Sequence, residues 1–362
     1  MTGGQSPRRR ALTSACFAFC SLATLAALTA AAPAAAPPSP NPLALTPAPP
    51  ASNPLVGAQY FVDPSDDAQR QLLYWRRTGE VAKADLLAKL ADEPQTVHFG
   101  FQSHPVIASV RNYLGRVPRA AVAILATYDI PHLGCAHTTD SPSQAGAFRG
   151  WMHGFAHAIG HRRTIVFLEQ DALITVGCLT RSGLAVRLSE LAYATRALGA
   201  LPHTVTYLDA GSADGDPSPQ RMASLLRRSG IGHIRGFFLN SSHYDWTSNE
   251  LRYGNHVAQI LHTHFVVSTS VNGRGPLRPH NRVTNGNEIL CNPSGRGLGP
   301  RPTTATGDPF ADAFMWIGIP GRSNGQCHPG DPPGATWFPA YALALAINAN
   351  GQLGPGYPSQ PY

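Results

Sequence analysis

The stretch TIVFLEQDALITVGC, residues 164–178, shows the pattern on which most of the chain is built. Its first five residues are apolar or β-branched, as expected for a parallel strand buried on both faces. Two carboxyl side chains, Glu169 and Asp171, follow almost at once. The stretch therefore predicts a buried strand with an acidic group at its carboxyl end, and Asp171 is a candidate for one member of a catalytic pair.

Similar apolar runs recur along the chain and alternate with helical stretches. The predicted strands are residues 96–100, 121–130, 164–170, 204–211, 234–242, 264–270 and 313–320, and predicted helices include 143–160, 181–199, 218–230 and 247–262. Such alternation indicates an α/β fold. No G-x-G-x-x-G follows the first strand, which weakens a nucleotide-binding interpretation. We predict a (β/α) barrel of about seven parallel strands, with its active-site cleft at their C-terminal ends.

The N-terminal part of the chain is typical of an exported protein. Arg8, Arg9 and Arg10 precede an apolar, Ala-rich run that ends in small residues, as a cleavable export signal does. We predict an export signal over residues 1–32, a Pro/Ala-rich linker over 33–52 and a folded domain over 53–362. The protein is then secreted by the Sec or the twin-arginine route, without a stable membrane anchor after signal removal.

Composition argues against several classes of function. The chain has a net charge of +7, but its arginines are scattered and form no stripe interleaved with aromatic residues. We therefore expect no nucleic-acid partner, and we expect a monomer. His153, His157 and His161 recur at helical spacing without a carboxylate on the same helix, so we interpret them as solvent-facing. No metal and no cofactor are expected.

The cysteines indicate a disulfide framework. Cys16 and Cys20 fall within the export signal, which leaves Cys135, Cys178, Cys291 and Cys327 in an exported chain. Four cysteines allow three connectivities. No C-x-x-C spacing suggests zinc.

The chain resembles glycoside hydrolase family 6, the inverting endoglucanases and cellobiohydrolases that cut β-1,4-glucan. Several long motifs carry this resemblance, and they occur in the family's order. The resemblance runs from Asn53 to the C-terminal helix. The motifs are NPLVGAQYFVDP, ATYDIPHLGCAH, VFLEQDAL, YLDAG, GFFLNSSHY, STSVNGRGP, CNPSGRGLG, TTATGDPFADAFMWI and PGRSNG. The resemblance implies a distorted barrel, a polysaccharide partner (β-glucan or a related glycan), and the disulfide pairs Cys135–Cys178 and Cys291–Cys327.

The resemblance also implies roles for individual residues. An inverting glycosidase needs a proton donor and a general base roughly 6.5–9.5 Å apart, and Asp171 matches the family's general acid. The position of the family's base is Asn324, whose amide cannot accept the proton. Asp140 is the candidate for a replacement base or for a modulator of Asp171; Asp214 and Asp216 are weaker candidates.

Other family positions are kept or substituted. Tyr128, Asn240, Asn272 and Arg322 are the predicted substrate-binding residues, with Arg322 standing where the family has a Glu. Asp209 and Asp308 are also kept. Further family positions are substituted at His98, Leu133, Gly134, Ser212, Ser268, Leu290 and Gly318. Two functions therefore stay open: a secreted glucanase with a displaced or water-relayed base, and a non-catalytic glycan-binding or cell-wall protein on the same scaffold.

Overall fold

Seven parallel strands lie side by side in chain order. The computed structural model describes residues 52–131, 142–215, 217–277 and 290–360. The strands are β1 (Val97–Gly100), β2 (Ala123–Tyr128), β3 (Thr164–Leu168), β4 (Thr204–Asp209), β5 (Gly236–Leu239), β6 (His264–Ser268) and β7 (Ala311–Met315). Each overlaps one of the predicted strands. The prediction of an α/β fold with about seven parallel strands is confirmed, and the sheet curls into a half-barrel.

Helices pack around the sheet: among the described residues α3 to α7 connect the strands from β1 to β6, α1 and α2 precede β1, and α8 follows β7. They are α1 (Asp67–Arg77), α2 (Val81–Ala91), α3 (Val106–Arg116), α4 (Pro142–Ile159), α5 (Arg181–Gly199), α6 (Pro219–Arg228), α7 (Thr247–Leu261) and α8 (Pro339–Ile347). The four predicted helices correspond to α4 through α7. The start of α6 follows the pattern seen in the sequence: Ser218 caps the helix and Pro219 occupies its first turn.

Apolar side chains cover both faces of the sheet. On β3, Ile165 and Phe167 point to the inner face of the curled sheet, where they belong to a core shared with residues of the other strands. Val166 and Leu168 belong to the core between the sheet and the surrounding helices. Burial on both faces explains why the strands read as continuous apolar runs rather than as alternating ones.

The two outer strands of the sheet meet through side-chain hydrogen bonds. Within the described residues β1 and β7 share no ladder. Instead, Thr96 Oγ1 donates to the carbonyl oxygen of Trp316 at 2.8 Å, and His98 Nε2 lies 2.8 Å from the carbonyl oxygen of Ile317. Burial lowers the pKa of His98 to about 4, so the ring is neutral near pH 7. His98, at a substituted family position, thus helps to join the two outer strands of the curled sheet.

One of the two implied disulfides is present among the described residues. Cys291 and Cys327 are bonded, with Cα atoms 6.1 Å apart, and join the segments around residues 291 and 327. Cys178 is also disulfide-bonded. Because Cys135 lies outside the described residues, its pairing with Cys178 stays a prediction.

Two of the three histidines lie on the side of α4 that faces away from the core, and the third, His161, follows the end of the helix. His153, His157 and His161 are exposed, whereas Trp151 and Phe155 are buried, so the solvent-facing interpretation is confirmed. Within the described residues, no helix is both long enough and apolar enough to span a lipid bilayer.

Candidate active site

Polar side chains from three neighbouring strands meet at the carboxyl edge of the sheet. Asp171 follows β3, Asp209 is the last residue of β4, and Ser242 and His243 follow β5. The carboxyl ends of parallel strands all point to the same edge, which is why residues far apart in sequence converge there. The acidic site predicted from the stretch 164–178 therefore has partners from β4 and β5.

The turn after β3 separates the roles of its two carboxyl groups. Glu169 and Asp171 both have left-handed backbone conformations, with φ of 53° and 66°. The Glu169 side chain is fully buried, and its Oε2 accepts hydrogen bonds from the backbone N–H groups of Asp129 and Ile130 at 3.0 and 2.9 Å. Glu169 therefore ties the end of β2 to the end of β3, and Asp171 is left to face the site.

Asp171 is half-buried and is held by one strong hydrogen bond. Ser242 Oγ donates to Asp171 Oδ1 at 2.6 Å. Burial raises the pKa of Asp171 above its ordinary value, although the hydrogen bond from Ser242 and the charge of His243 oppose this rise. A carboxyl group whose protonated form is favoured by burial has the property that a general acid needs.

A second carboxyl group, Asp209, lies next to Asp171. Asp209 is fully buried, and its Oδ2 accepts a hydrogen bond from the backbone N–H of Leu173 at 3.3 Å. Burial and the negative charge of Asp171 together raise the pKa of Asp209 to about 8. At neutral pH Asp209 is therefore mostly neutral, and of the two carboxyl groups only Asp171 is partly exposed at this edge.

A chain of short hydrogen bonds leads away from the site. His243 Nδ1 lies 2.8 Å from Asp214 Oδ1. Ser212 Oγ lies 2.6 Å from the same Asp214 oxygen and 2.6 Å from Oε1 of the fully buried Glu250. Burial, together with the charges of Asp245 and Asp214, raises the pKa of Glu250 well above its ordinary value.

Two aromatic side chains lie at the rim of this edge. Tyr128 ends β2 and is half-buried; burial and the charges of Asp171 and Glu169 raise its pKa to about 12. Phe101 follows β1 and is 62% exposed, with its ring centroid 6.4 Å from that of Tyr128. An exposed aromatic ring beside a cleft is a surface on which the apolar face of a sugar can stack.

Asn324, at the position of the family's base, forms hydrogen bonds through both its side chain and its backbone. Asn324 is exposed, its Nδ2 donates to the carbonyl oxygen of Leu290 at 2.8 Å, and its backbone N–H donates to Asn292 Oδ1 at 2.8 Å. Arg322 forms an ion pair with Asp67 of α1 at 3.2 Å. Asp140 and Asp216 lie outside the described residues, so the roles predicted for them from the sequence stay predictions.

The two predicted substrate-binding asparagines are both buried, with 1% of each side chain exposed. Asn240 Nδ2 donates to the carbonyl oxygens of Asp245 and Ser268 at 3.2 and 3.1 Å. Asn272 Nδ2 donates to the Asp245 carbonyl oxygen at 2.9 Å and to Thr247 Oγ1 at 3.0 Å. Their amide donors thus hold the loops after β5 and β6 together.

Three residues of the site have no role in the predictions from sequence. His243 carries a signal that could have identified it, since it directly follows Ser242 at a predicted strand end. Asp129 has the same signal after β2, and burial together with the charge of Glu169 raises its pKa to about 7. Glu250 carries no such signal, because it reaches the site from α7.

Three carboxyl groups in this region are spaced closely enough that they could share a cation. One oxygen each from Asp214, Asp245 and Glu250 lies within 4.8 Å of the others. Protein groups already occupy these oxygens: Asp245 Oδ1 accepts from the Trp246 N–H and from Asn249, and Glu250 accepts from the Ala213 N–H. We therefore assign no metal to them.

Comparisons with known proteins match most of the chain. Endoglucanase A from Cellulomonas fimi is 33% identical over 294 residues, which is 80% of this chain and 61% of that protein. Endoglucanase 1 from Streptomyces halstedii is 31% identical over 312 residues, 82% of this chain and 92% of that protein. The chain spans only about three fifths of the length of the first two curated relatives.

A solved structure agrees with the fold. It is the endoglucanase Cel6 from Mycobacterium tuberculosis in complex with methyl-cellobiosyl-4-deoxy-4-thio-β-D-cellobioside, 33% identical, with a TM-score of 0.73 over 82% of this chain and 99% of that one. The family model described as "Glycosyl hydrolases family 6" matches residues 55–349. The resemblance seen in the motifs is therefore confirmed: the chain belongs to the glycosyl hydrolases of family 6.

Proposed function

We propose that the protein is a glycoside hydrolase that cuts β-1,4-glucan or a closely related glycan with inversion of configuration, and that Asp171 is its general acid. The observation that supports this proposal most directly is the environment of the Asp171 carboxyl group. Its carboxyl group lies at the carboxyl edge of a parallel barrel, is held by Ser242 at 2.6 Å, and has a pKa raised by burial. Family membership supplies the class of reaction.

The acid step follows from this geometry. The proton on Asp171 passes to the glycosidic oxygen as the bond to the anomeric carbon breaks, and the carboxylate that remains keeps its hydrogen bond from Ser242. Asp209, which is mostly neutral at pH 7, adds no full negative charge beside that carboxylate. The neighbouring groups therefore favour one well-defined proton donor.

The base step needs a carboxylate or a water relay on the opposite face of the sugar. Asn324 cannot accept a proton. We propose Asp140 as the replacement base or as a modulator of Asp171. Asp129 is a further carboxyl group at the same edge, and its pKa of about 7 suits a group that accepts protons near neutral pH.

The substrate is proposed to be a polysaccharide. The solved relative carries a cellobioside-type ligand, and Tyr128 and Phe101 offer aromatic surface at the rim of the site.

The predicted substrate-binding residues outside the rim differ in how they act. Arg322 must leave its ion pair with Asp67 before it can contact a sugar. Asn240 and Asn272 act by fixing the loops that the substrate contacts. Secretion after removal of an export signal and a monomeric state complete the proposal.

Hydrolysis is tested by a reducing-end assay of the purified protein across soluble β-glucans, with binding measured on the same substrates. Release of new reducing ends by the wild type but not by Asp171→Asn supports the proposal. The alternative is a non-catalytic glycan-binding or cell-wall protein. It is favoured by one specific observation, the amide of Asn324 that donates to Leu290 where the family places its base. Binding without turnover decides for that alternative.

A further inference from the structure

His243 and Asp214 form a pair that the acid–base mechanism above does not use. His243 directly follows Ser242, the residue that donates to Asp171. Its Nδ1 lies 2.8 Å from Asp214 Oδ1, and 14% of the His243 side chain and 21% of the Asp214 side chain are exposed. The pair is therefore largely sheltered from water, so its charges are weakly screened and act on nearby groups.

Hydrogen bonding fixes which of these groups carries the charge. The single proton of the Ser212 hydroxyl cannot serve both Asp214 and Glu250, each 2.6 Å away. Glu250 is fully buried, which favours its neutral form, so Glu250 donates to Ser212 and Ser212 donates to Asp214. Asp214 Oδ1 then accepts from both Ser212 and His243 as an ionised carboxylate.

An ionised Asp214 stabilises the protonated ring of His243. Burial alone would lower the pKa of His243, but the hydrogen bond to Asp214 and the charges of Asp214 and Asp171 raise it above its ordinary value. The hydrogen bond from His243 and its positive charge likewise hold the pKa of Asp214 below its ordinary value, against the effect of burial. Asp245, after β5, also interacts with His243.

We propose that Asp214 holds His243 as an imidazolium and that this cation is the positioning partner of Asp171, stabilising the carboxylate that forms when Asp171 gives up its proton. The inference rests on the proposed function, since it assigns a role within the acid step. No proton leaves His243 in this step: the Asp171 O–H bond breaks, its electron pair stays on the carboxylate, and the proton goes to the leaving oxygen. His243 acts through Asp171 and is not itself a catalytic residue.

The pH profile of kcat/KM tests the role in catalysis. The alkaline limb reports loss of the Asp171 proton. Without the cation the acid should keep its proton to higher pH, so His243→Asn should move this limb upward by roughly 0.5 to 1 pH unit. Asp214→Asn should move it in the same direction, and the double variant should add little to either change. His153→Asn, on the exposed face of α4, is the matched control.

A titration of His243 by NMR tests the coupling without any need for activity. Coupling between two ionisable groups is reciprocal, so Asp171→Asn should lower the pKa of His243. The separate variant Asp214→Asn should lower that pKa by a larger amount. The proposal is overturned if the pKa of His243 is unchanged in Asp171→Asn, or if His243→Asn folds and leaves the alkaline limb where it was. A protein that shows the coupling but no hydrolysis would contradict the proposed function alone.

Discussion

Asp209 and Asp171, from neighbouring strands, are coupled carboxyl groups. The negative charge of Asp171 contributes, after burial, to a pKa of about 8 for Asp209. Two carboxylates next to each other in a weakly polar environment cannot both ionise without a cost in free energy. The buried member keeps its proton near neutral pH, and the half-buried member faces the site. This division links the stability of the barrel to pH.

The first prediction concerns that link. Asp209 has a pKa of about 8 in the folded protein against an ordinary value of 3.8, so the folded state binds more protons than the unfolded state between about pH 4 and pH 8. The free energy of unfolding therefore falls as pH rises through this window. Asp209→Asn removes this titration, and the fall in stability from pH 5 to pH 8, measured by urea unfolding, should become smaller.

Other carboxyl groups with raised pKa values, Glu169, Asp171 and Glu250, should leave part of the slope in that variant. The surface variant Asp85→Asn on α2 is the control and should keep the wild-type slope. If Asp209→Asn also keeps the wild-type slope, Asp209 is already ionised in the folded protein.

The second prediction isolates the acid step. Asp171→Asn should lower the rate on β-glucan by roughly 10²–10⁴-fold, because a positioned proton donor contributes about that much. A substrate with a leaving group such as dinitrophenolate needs no proton from the enzyme, so the loss on an aryl cellobioside of that kind should be much smaller. Steady-state rates on the two substrates give the comparison.

Glu169→Gln is the matched control for Asp171→Asn. Glutamine keeps an oxygen that can accept from the Asp129 and Ile130 N–H groups, so this variant should keep activity on both substrates. Equal losses on both substrates in Asp171→Asn would show that Asp171 acts in binding or folding rather than as a proton donor.

The third prediction concerns the rim of the site. Phe101→Ala should weaken binding of soluble cello-oligosaccharides several-fold, because it removes apolar ring surface that a bound sugar would cover, at about 25 cal/mol per Å² of apolar area removed from water. Isothermal titration calorimetry measures the change. Tyr74→Ala, which removes a 54% exposed ring from α1, is the control and should bind as the wild type does. Identical affinities for the two variants would place the sugar elsewhere.

Much of the fold could be predicted because the strands are covered on both faces. Continuous apolar runs such as 164–168 carry their own signal, and Ser218 with Pro219 marks the start of α6. The hydrogen-bond chain at the site could not be predicted in the same way. It joins Glu250 of α7 to Ser212 after β4 and to His243 after β5, and such contacts depend on packing between elements rather than on local pattern. The contact of His98 with the carbonyl oxygen of Ile317, which joins the two outer strands, was missed for the same reason.

The last prediction concerns Asn324. A carboxylate at this position could accept a proton from water, so Asn324→Asp should raise the rate on soluble β-glucan, by about tenfold or more if the base is the missing part. The same change removes the donor to the Leu290 carbonyl oxygen. It should therefore lower the free energy of unfolding by roughly 0.5–1.5 kcal/mol.

Asn324→Ala separates these two effects, because it loses the hydrogen bond to Leu290 without gaining a carboxylate. Its stability should fall as in Asn324→Asp, while its rate should stay at the wild-type level or below. A higher rate for Asn324→Asp alone identifies the absent base as the defect of the site. If both variants hydrolyse β-glucan at one rate while both bind it, proton acceptance at residue 324 does not limit turnover, and Asp140 or Asp129 becomes the carboxyl group to replace next.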